Sequence, residues 1–506
     1  IIMATPSLAM IPSAYADSKV YSVLPNNGDG DFTFNRDSSA TRVGQNGLIQ
    51  EVGFFSSEKV INGDFATDSD WIKGTGWTIS GGKANSDGSQ TAYSTIKQNG
   101  AAPINTNYKL VFTATITSGN ILPSVGGSNG QGQISESGTY IFYTIASSGD
   151  DGLYFGASSD FVGSIDNVSL KEVLGDQPRL NYDINANGQV QSCPSLLLEP
   201  ASTNIITDSE DFIQWTDSGT TTVLSNITNP SGGLQSYLLS ASSSATNALR
   251  YDDSFSVSAN YSYSLFLKAG TSQEVRMQIY DGSSFFRFAV NPLNNFAVVD
   301  QSGVNSYLIE DFTNGWKRVS INITTSASAS TGYLQIYPDR TGNLNNVYIF
   351  GAQLEQQSYA TSYIPTNGAS QTRAAESCND AGTASTFNDS EGVLYAELKG
   401  LSADGTNRYI SLNDGTTSNR VNLFFDTNNV LRGFITGISS MATSATITDN
   451  NKVAIKYKSG DIALWLNGVE VATKTDTISL SGLSSLSFDQ TGGLNWYGNV
   501  KDLRVY

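Results

Sequence analysis

The stretch KVAIKYKSGDIALWLNGVEVAT (452–473) decides the fold class. In Lys452–Lys458 the apolar Val453, Ile455 and Tyr457 alternate with three lysines and an alanine, so an extended segment has one apolar and one largely charged face. That is the pattern of a half-buried strand. Ser459-Gly460-Asp461 turns the chain, Ile462, Leu464 and Leu466 form the inner side of the next strand, and Asn467-Gly468 is a tight-turn pair. The result is an antiparallel meander. Trp465 is out of phase with its apolar neighbours and faces the other way, as a surface platform or a contact between subunits.

Working outward, short alternating runs bounded by Gly, Asn, Asp and Ser recur along the chain, whereas apolar residues at i, i+3, i+4 and i+7 are scarce. The expectation is an all-β protein with no long helix. An internal repeat orders the strands. VINGDFATDSDW (60–71) opens a module that closes with GSIDNVSLKEV (163–173), and IITDSEDFIQW (205–215) opens another that closes with NVYIFGAQLEQ (346–356). Each opening is acidic and aromatic with a Trp close behind, and each closing is an alternating strand. Two divergent jelly rolls account for this, with first and last strands side by side.

Composition limits the chemistry. The 506 residues include no histidine, which removes the commonest general base and metal ligand. Two cysteines are too few for zinc or iron–sulfur sites. Cys193 and Cys378 bracket the second module, as a bridge if their connectors meet or as lone thiols. Lys+Arg 28 against Asp+Glu 46 gives a net charge of −18, which argues against nucleic acid and anionic membranes as partners. Charged residues are only 15% of the chain, so the surface is expected to be a neutral coat of Ser, Thr, Asn and Gly. No run approaches the roughly 20 apolar residues needed to span a bilayer, so no membrane insertion is expected. Ala14-Tyr15-Ala16 mimics a signal-peptidase site, but without a basic preceding region and with prolines interrupting the apolar run. The reading preferred for this end is an extended arm docked on a neighbouring subunit.

Two strings, CPSLLLEPASTNIITDSEDFIQW (193–215) and NVYIFGAQLEQQSYATSYIPTNGASQTRA (346–374), border the second module. They resemble the module borders of tailed-bacteriophage virion proteins, the fibre, spike and head-decoration components that carry carbohydrate-binding-like jelly rolls. SATRVGQNGLIQEV (39–52) resembles the N-terminal anchor of the same proteins, and the C-terminal third, closing with GNVKDLRVY (498–506), resembles a laminin-G or concanavalin-like domain. The resemblance implies tandem antiparallel β-sandwiches: an attachment and oligomerisation segment at 1–55, a jelly roll at 56–173, a connector at 174–204, a second jelly roll at 205–365, a connector at 366–389 and a laminin-G-like sandwich at 390–506. It further implies a non-enzymatic protein on the particle surface, assembled as a homo-oligomer, most simply a trimer, with other virion proteins and a host-surface glycan as partners. The alternatives are a virion polysaccharide depolymerase and a secreted bacterial carbohydrate-binding adhesin.

The same likeness nominates sites. No cofactor is required, but sugar-binding jelly rolls often tie the opening strand to the closing one with a structural Ca²⁺, for which Asn62, Asp64 and Asp166 are the matching oxygen donors. Aromatic platforms for sugars are sought among Trp71, Trp77 and Tyr154 in the first module and Trp465 and Trp496 in the third, with Trp215 and Trp316 in the second; large aromatics in a sandwich are more often core. In the anchor, Arg42, Leu48, Ile49 and Val52 suit an edge hairpin that pairs with another chain, or one folded back on the first jelly roll. For catalysis, Asp64 with Asp68 or Asp70, Glu210 with Asp211, and Asp252 with Asp253 are the carboxylate pairs, all read as solvated turns, so no catalytic residue is assigned. Asn226-Ile227-Thr228 is a glycosylation sequon of a kind expected by chance here.

Overall fold

The computed structural model describes residues 5–53, 55–104, 106–128, 132–146, 150–173, 177–225 and 227–506. Asn226 of the sequon lies outside them. Among the described residues the regular elements are β-strands apart from three 3-10 turns, Phe212–Gln214, Pro292–Asn294 and Thr313–Gly315. The protein is all-β, built of antiparallel sandwiches.

In the first sandwich a five-stranded sheet (Gly138–Ile145, Asn107–Ser118, Val162–Glu172, Lys83–Asp87, Trp77–Ser80) faces a four-stranded one (Ile121–Val125, Leu153–Ala157, Ser94–Gln98, Ile72–Lys73). Phe112, Phe155, Leu110 and Ile96 are fully buried between them. The second sandwich packs two six-stranded sheets, with Asn346–Glu355 beside Asn260–Ala269 in one and Thr331–Tyr337 beside Val275–Tyr280 in the other. Alternation sets the faces: in Thr331–Tyr337 the buried Leu334 and Ile336 point inward while Tyr333, Gln335 and Tyr337 do not.

The C-terminal sandwich draws strands from three parts of the chain. Its closing strand, Gly498–Val505, pairs with Glu391–Gly400 on one side. Its other side is taken by Leu8–Met10 and by Ser195–Leu198. The apolar cluster Leu196–Leu198 is thus a buried strand rather than a loop. Leu8, Met10, Val20, Phe32 and Phe34 belong to the same core as Ile455 and Leu464. The N-terminal segment, expected as an arm on a neighbouring subunit, therefore docks on its own chain, because an apolar strand gains more from a free sheet edge than from solvent. The 452–473 meander is present, but a register shift after Leu464 breaks the alternation, leaving both Trp465 and Leu466 half-buried.

Residues 40–52 form a hairpin, Ala40–Val43 against Ile49–Val52. It does not stand free as an edge. Ile49 is 8% exposed and packs with Phe266, Trp316, Phe350 and Tyr363 on the outer face of a second-sandwich sheet. The Ile49 amide donates to Pro230 O at 2.9 Å, and Val52 is 3% exposed. Ile49 and Val52 are therefore internal contacts and not exposed attachment residues, the apolar side of the hairpin being satisfied within the chain. Leu48 is half-buried beside them.

Candidate functional site

The border strings meet at a buried charge cluster. Arg36, Arg179 and Arg373 stand against Glu199 and Glu376, all of them buried. Arg36 Nη1 lies 2.8 Å from Glu376 Oε1, Arg179 Nη1 lies 2.7 Å from Glu199 Oε2, and Arg373 Nη1 lies 2.9 Å from the same oxygen. Arg179 also pairs with Glu376. Glu355, fully buried, joins through Thr361, whose hydroxyl accepts from Arg373 Nη1 at 3.1 Å and donates to the Glu355 carboxylate. Three buried arginines thus share two glutamates directly and reach a third through Thr361, whose carbonyl also accepts from buried Arg318. Burial alone would raise the Glu199 carboxyl, but Arg373 and Arg179 outweigh it and hold it down to about 2. Glu376 is likewise held low by Arg179 and Arg36 against the effect of burial. Backbone joins in: Arg36 donates to Val52 O, Arg179 to Thr41 O and Arg373 to Pro200 O. The cluster ties the hairpin, both connectors and the second sandwich together. It is structural, and it explains what LLLEP, QLE, TSYIPT and TRAAE do.

The sugar-platform candidates divide. Trp71 (6% exposed), Trp77 (5%) and Trp496 (1%) are core residues and offer no platform. The Trp71 indole instead donates to Asn62 O at 3.1 Å and packs on Phe65. Tyr154 and Trp465 are half-exposed, each with a lysine over its ring, Lys97 and Lys456. The Tyr154 phenol, pushed up to about 12 by burial and its bond to Asp150, donates to that carboxylate.

The three calcium candidates each accept a hydrogen bond from a nearby backbone amide. Asn62 Oδ1 accepts from Thr67 N at 3.2 Å, Asp64 Oδ1 from Ala66 N at 3.3 Å and Asp166 Oδ1 from Asn167 N at 2.7 Å. Among the described residues no group of three or more His, Cys, Asp or Glu is placed to hold a metal ion. Opening and closing strands are joined directly by hydrogen bonds. Glu58 accepts from Leu170 N at 2.7 Å and Ser169 Oγ at 2.6 Å, and Val168 N donates to Gly63 O at 2.8 Å. Both cysteines are free, Cys193 exposed and Cys378 buried.

The carboxylate pairs sit in unlike surroundings. Asp252 and Asp253 are consecutive on one strand and face opposite ways, Asp252 engaged by Arg250. Asp68 is paired with Lys73, and Asp70 accepts from Ser69 Oγ at 2.5 Å. Glu210, expected in a solvated turn, is half-buried and raised to about 7 by burial, with the Tyr363 hydroxyl donating to it at 3.2 Å. Asp211 caps the 212–214 turn and accepts from Tyr237.

Sequence reasoning did not find the cleft between the second and C-terminal sandwiches. Of about 680 Å³, it is lined on one side by Asn260 and Gln356–Tyr359 and on the other by Asp404, Thr406, Asn407 and residues 492–497. Its lining combines two tyrosines, Tyr359 and Tyr497, with the amides of Asn260, Gln356, Gln357, Asn407 and Asn495. Asn495 Nδ2 donates to Tyr497 Oη at 3.1 Å. Asp404 is the one carboxylate in the lining; fully buried Arg408 holds it at 2.9 Å, and Thr406 donates to it twice. Burial raises both tyrosine phenols. The rim loop carries Thr491 (φ 51°) and Leu494 (φ 59°) in the left-handed region, a conformation that costs free energy and presents Leu494, 47% exposed, to solvent. The signal was dispersed: QQSY lies inside a string already read as a module border, and TGGLN reads as an ordinary turn.

No family model and no curated protein matches the chain. Among solved structures it is similar to the CBM40 module of the Ruminococcus gnavus IT-sialidase bound to alpha2,3-sialyllactose, with 15% identity, 25% of this chain and 86% of that one covered, and a TM-score of 0.22. The CBM22 tandem of Paenibacillus barcinonensis Xyn10C aligns at 10% identity over 60% of this chain and 98% of its own, with a TM-score of 0.21. Mouse laminin alpha1 LG4-5 aligns at 10% identity over 60% and 91%, with a TM-score of 0.20. The fold class rests on the strands, registers and cores described above.

Proposed function

We propose that the protein is a non-enzymatic glycan-binding component of a bacteriophage particle surface, with the cleft between the second and C-terminal sandwiches as its sugar site. The cleft is the observation that carries this reading. Tyrosine rings supply apolar faces for pyranose C–H groups, and five side-chain amides supply paired donors and acceptors for hydroxyls. A lining with one carboxylate, already satisfied by Arg408, suits a neutral oligosaccharide. It does not suit glycoside hydrolysis, which uses two carboxylates flanking the scissile bond. The virion setting is supported by the border strings and the SATRVGQNGLIQEV segment. Weak single sites would act together in a homotrimer, where avidity multiplies them.

Titration of purified protein with neutral host-envelope oligosaccharides is expected to show binding that falls at least 10-fold in the double variant Tyr359→Ala, Tyr497→Ala, with no release of reducing ends. Unchanged affinity in a folded double variant would remove the cleft from the reading. Reducing ends lost on Asp404→Asn would replace binding by hydrolysis, the depolymerase alternative. Electron microscopy of intact particles decides the virion placement, and light scattering decides the trimer.

A further inference from the structure

A second pocket has the opposite chemistry. Of about 600 Å³, it opens where the 40–52 hairpin meets the N-terminal segment and the first connector, and Tyr15, Arg42, Gln45, Asn46, Gln50 and Tyr182 line it. Arg42 and Gln50 are cross-strand partners, so both are presented from one side of the hairpin. The Arg42 guanidinium carbon lies over the Tyr15 ring, 5.6 Å from its centroid, within cation–π range. Among the described residues its Nε is buried without a hydrogen-bond partner, and none of the lining residues is acidic. Arg36 and Arg179, close by in the fold, are both matched by glutamates. In a chain with 46 acidic against 28 basic residues, an arginine in a pocket without an acid is a cation left open to a ligand.

We propose that this pocket binds the carboxylate of an acidic sugar residue, a uronic or sialic acid class. The free edge of the guanidinium receives the carboxylate through two parallel N–H···O bonds, the geometry for which arginine is suited and lysine is not. Gln45, Asn46 and Gln50 supply amides for ring hydroxyls, and Tyr182 an aromatic wall. The site differs from the neutral cleft in place and charge, and it does not depend on it.

The test is titration of the full chain with three probes: a glucuronic-acid-terminated trisaccharide, its carboxyl-reduced counterpart and the corresponding sugar phosphate. The acid-terminated probe is expected to bind at least 10-fold more tightly than the reduced one, with a preference that shrinks as salt rises. Arg42→Gln should abolish that preference and Arg42→Lys should lower it. Tyr15→Leu, which leaves the charge but removes the stacking platform, should weaken it as well. The Tyr359→Ala, Tyr497→Ala variant should leave it intact, so that failure of the cleft reading and failure of this one are separable. Equal affinity for the acid and reduced probes, or full preference retained by a folded Arg42→Gln protein, would overturn the proposal. Tighter binding of the phosphate probe would overturn the carboxylate assignment.

Discussion

The two jelly rolls open in the same way. In the first, the Trp71 indole donates to Asn62 O at 3.1 Å and its ring lies 5.1 Å from Phe65; in the second, the Trp215 indole donates to Asp208 O at 3.1 Å and its ring lies 5.2 Å from Phe212. Their attachments differ. The second is wired through Glu355, Thr361, Ser362 and Tyr363 into buried charge, while contacts of the first with the hairpin include the partly exposed Lys109–Glu51 pair. A partly exposed ion pair is worth little, but a buried network fails when one member is lost. From that difference the second jelly roll, the hairpin and the C-terminal sandwich are expected to unfold as one cooperative block and the first jelly roll as a separate unit.

The largest break in that block is expected from Glu376→Gln, which removes the carboxylate charge paired with buried Arg36 and one of the two paired with buried Arg179. Calorimetry should show the block destabilised by about 3–5 kcal/mol, with the transition of the first jelly roll unmoved. Adding Arg36→Met should recover part of the loss, since the unmatched charge goes with it. Equal destabilisation of both transitions would mean that the two jelly rolls unfold together and that the contrast in attachment is not energetic.

Why the fold was legible and the cluster was not follows from the residues. Val453, Ile455 and Tyr457 announce a strand because alternation is local. The repeat was visible for the same reason, since each Trp sits close behind its acidic opening. Glu199 and Glu376 meet across 177 positions, and no local pattern marks an acid as buried. Glu199 follows a four-residue buried run and Arg373 follows SQT; singly each reads as a surface charge. Resemblance found those strings without their meaning: they hold the modules together and say little about the ligand. The aromatic candidates failed because most of the large rings were needed inside. Tyr359 and Tyr497 were missed because a cleft between sandwiches exists only after both have folded.

Acid should separate the regions next. Glu199 has its folded carboxyl held down to about 2, below its ordinary 4.5, so the stability it contributes is present above about 4.5 and is lost as pH falls toward 2. A shift of that size corresponds to about 3 kcal/mol. Glu210 has the opposite sign. Its folded carboxyl is raised to about 7, so its contribution is complete below 4.5 and declines as pH rises through 7. Glu210→Gln, which keeps an oxygen for the Tyr363 hydroxyl, should therefore stabilise the block at pH 8 by about 1–2 kcal/mol, less than the full shift because the side chain is half-buried, and change little at pH 4. Thermal melts of wild type, Glu199→Gln and Glu210→Gln between pH 3 and 8 check both signs. A Glu210→Gln protein that gains nothing at pH 8 would place that carboxyl in water.

The smallest effect expected is in the first jelly roll. There the join between opening and closing strands rests on Glu58, whose carboxylate accepts from Lys59 N, Val60 N, Leu170 N and Ser169 Oγ, together with the Gly63–Val168 bond. These are hydrogen bonds to an exposed carboxylate, and water replaces most of what is lost when one is removed. Glu58→Gln keeps one acceptor oxygen in place and should lower the stability of the first jelly roll by about 1 kcal/mol, leaving the block unchanged. With the join made by these hydrogen bonds, the same transition is expected not to respond to added calcium or to a chelator. A calcium-dependent rise in the first transition that survives Glu58→Gln would restore a metal to that join, and with it an attachment of strands that side-chain geometry alone does not provide.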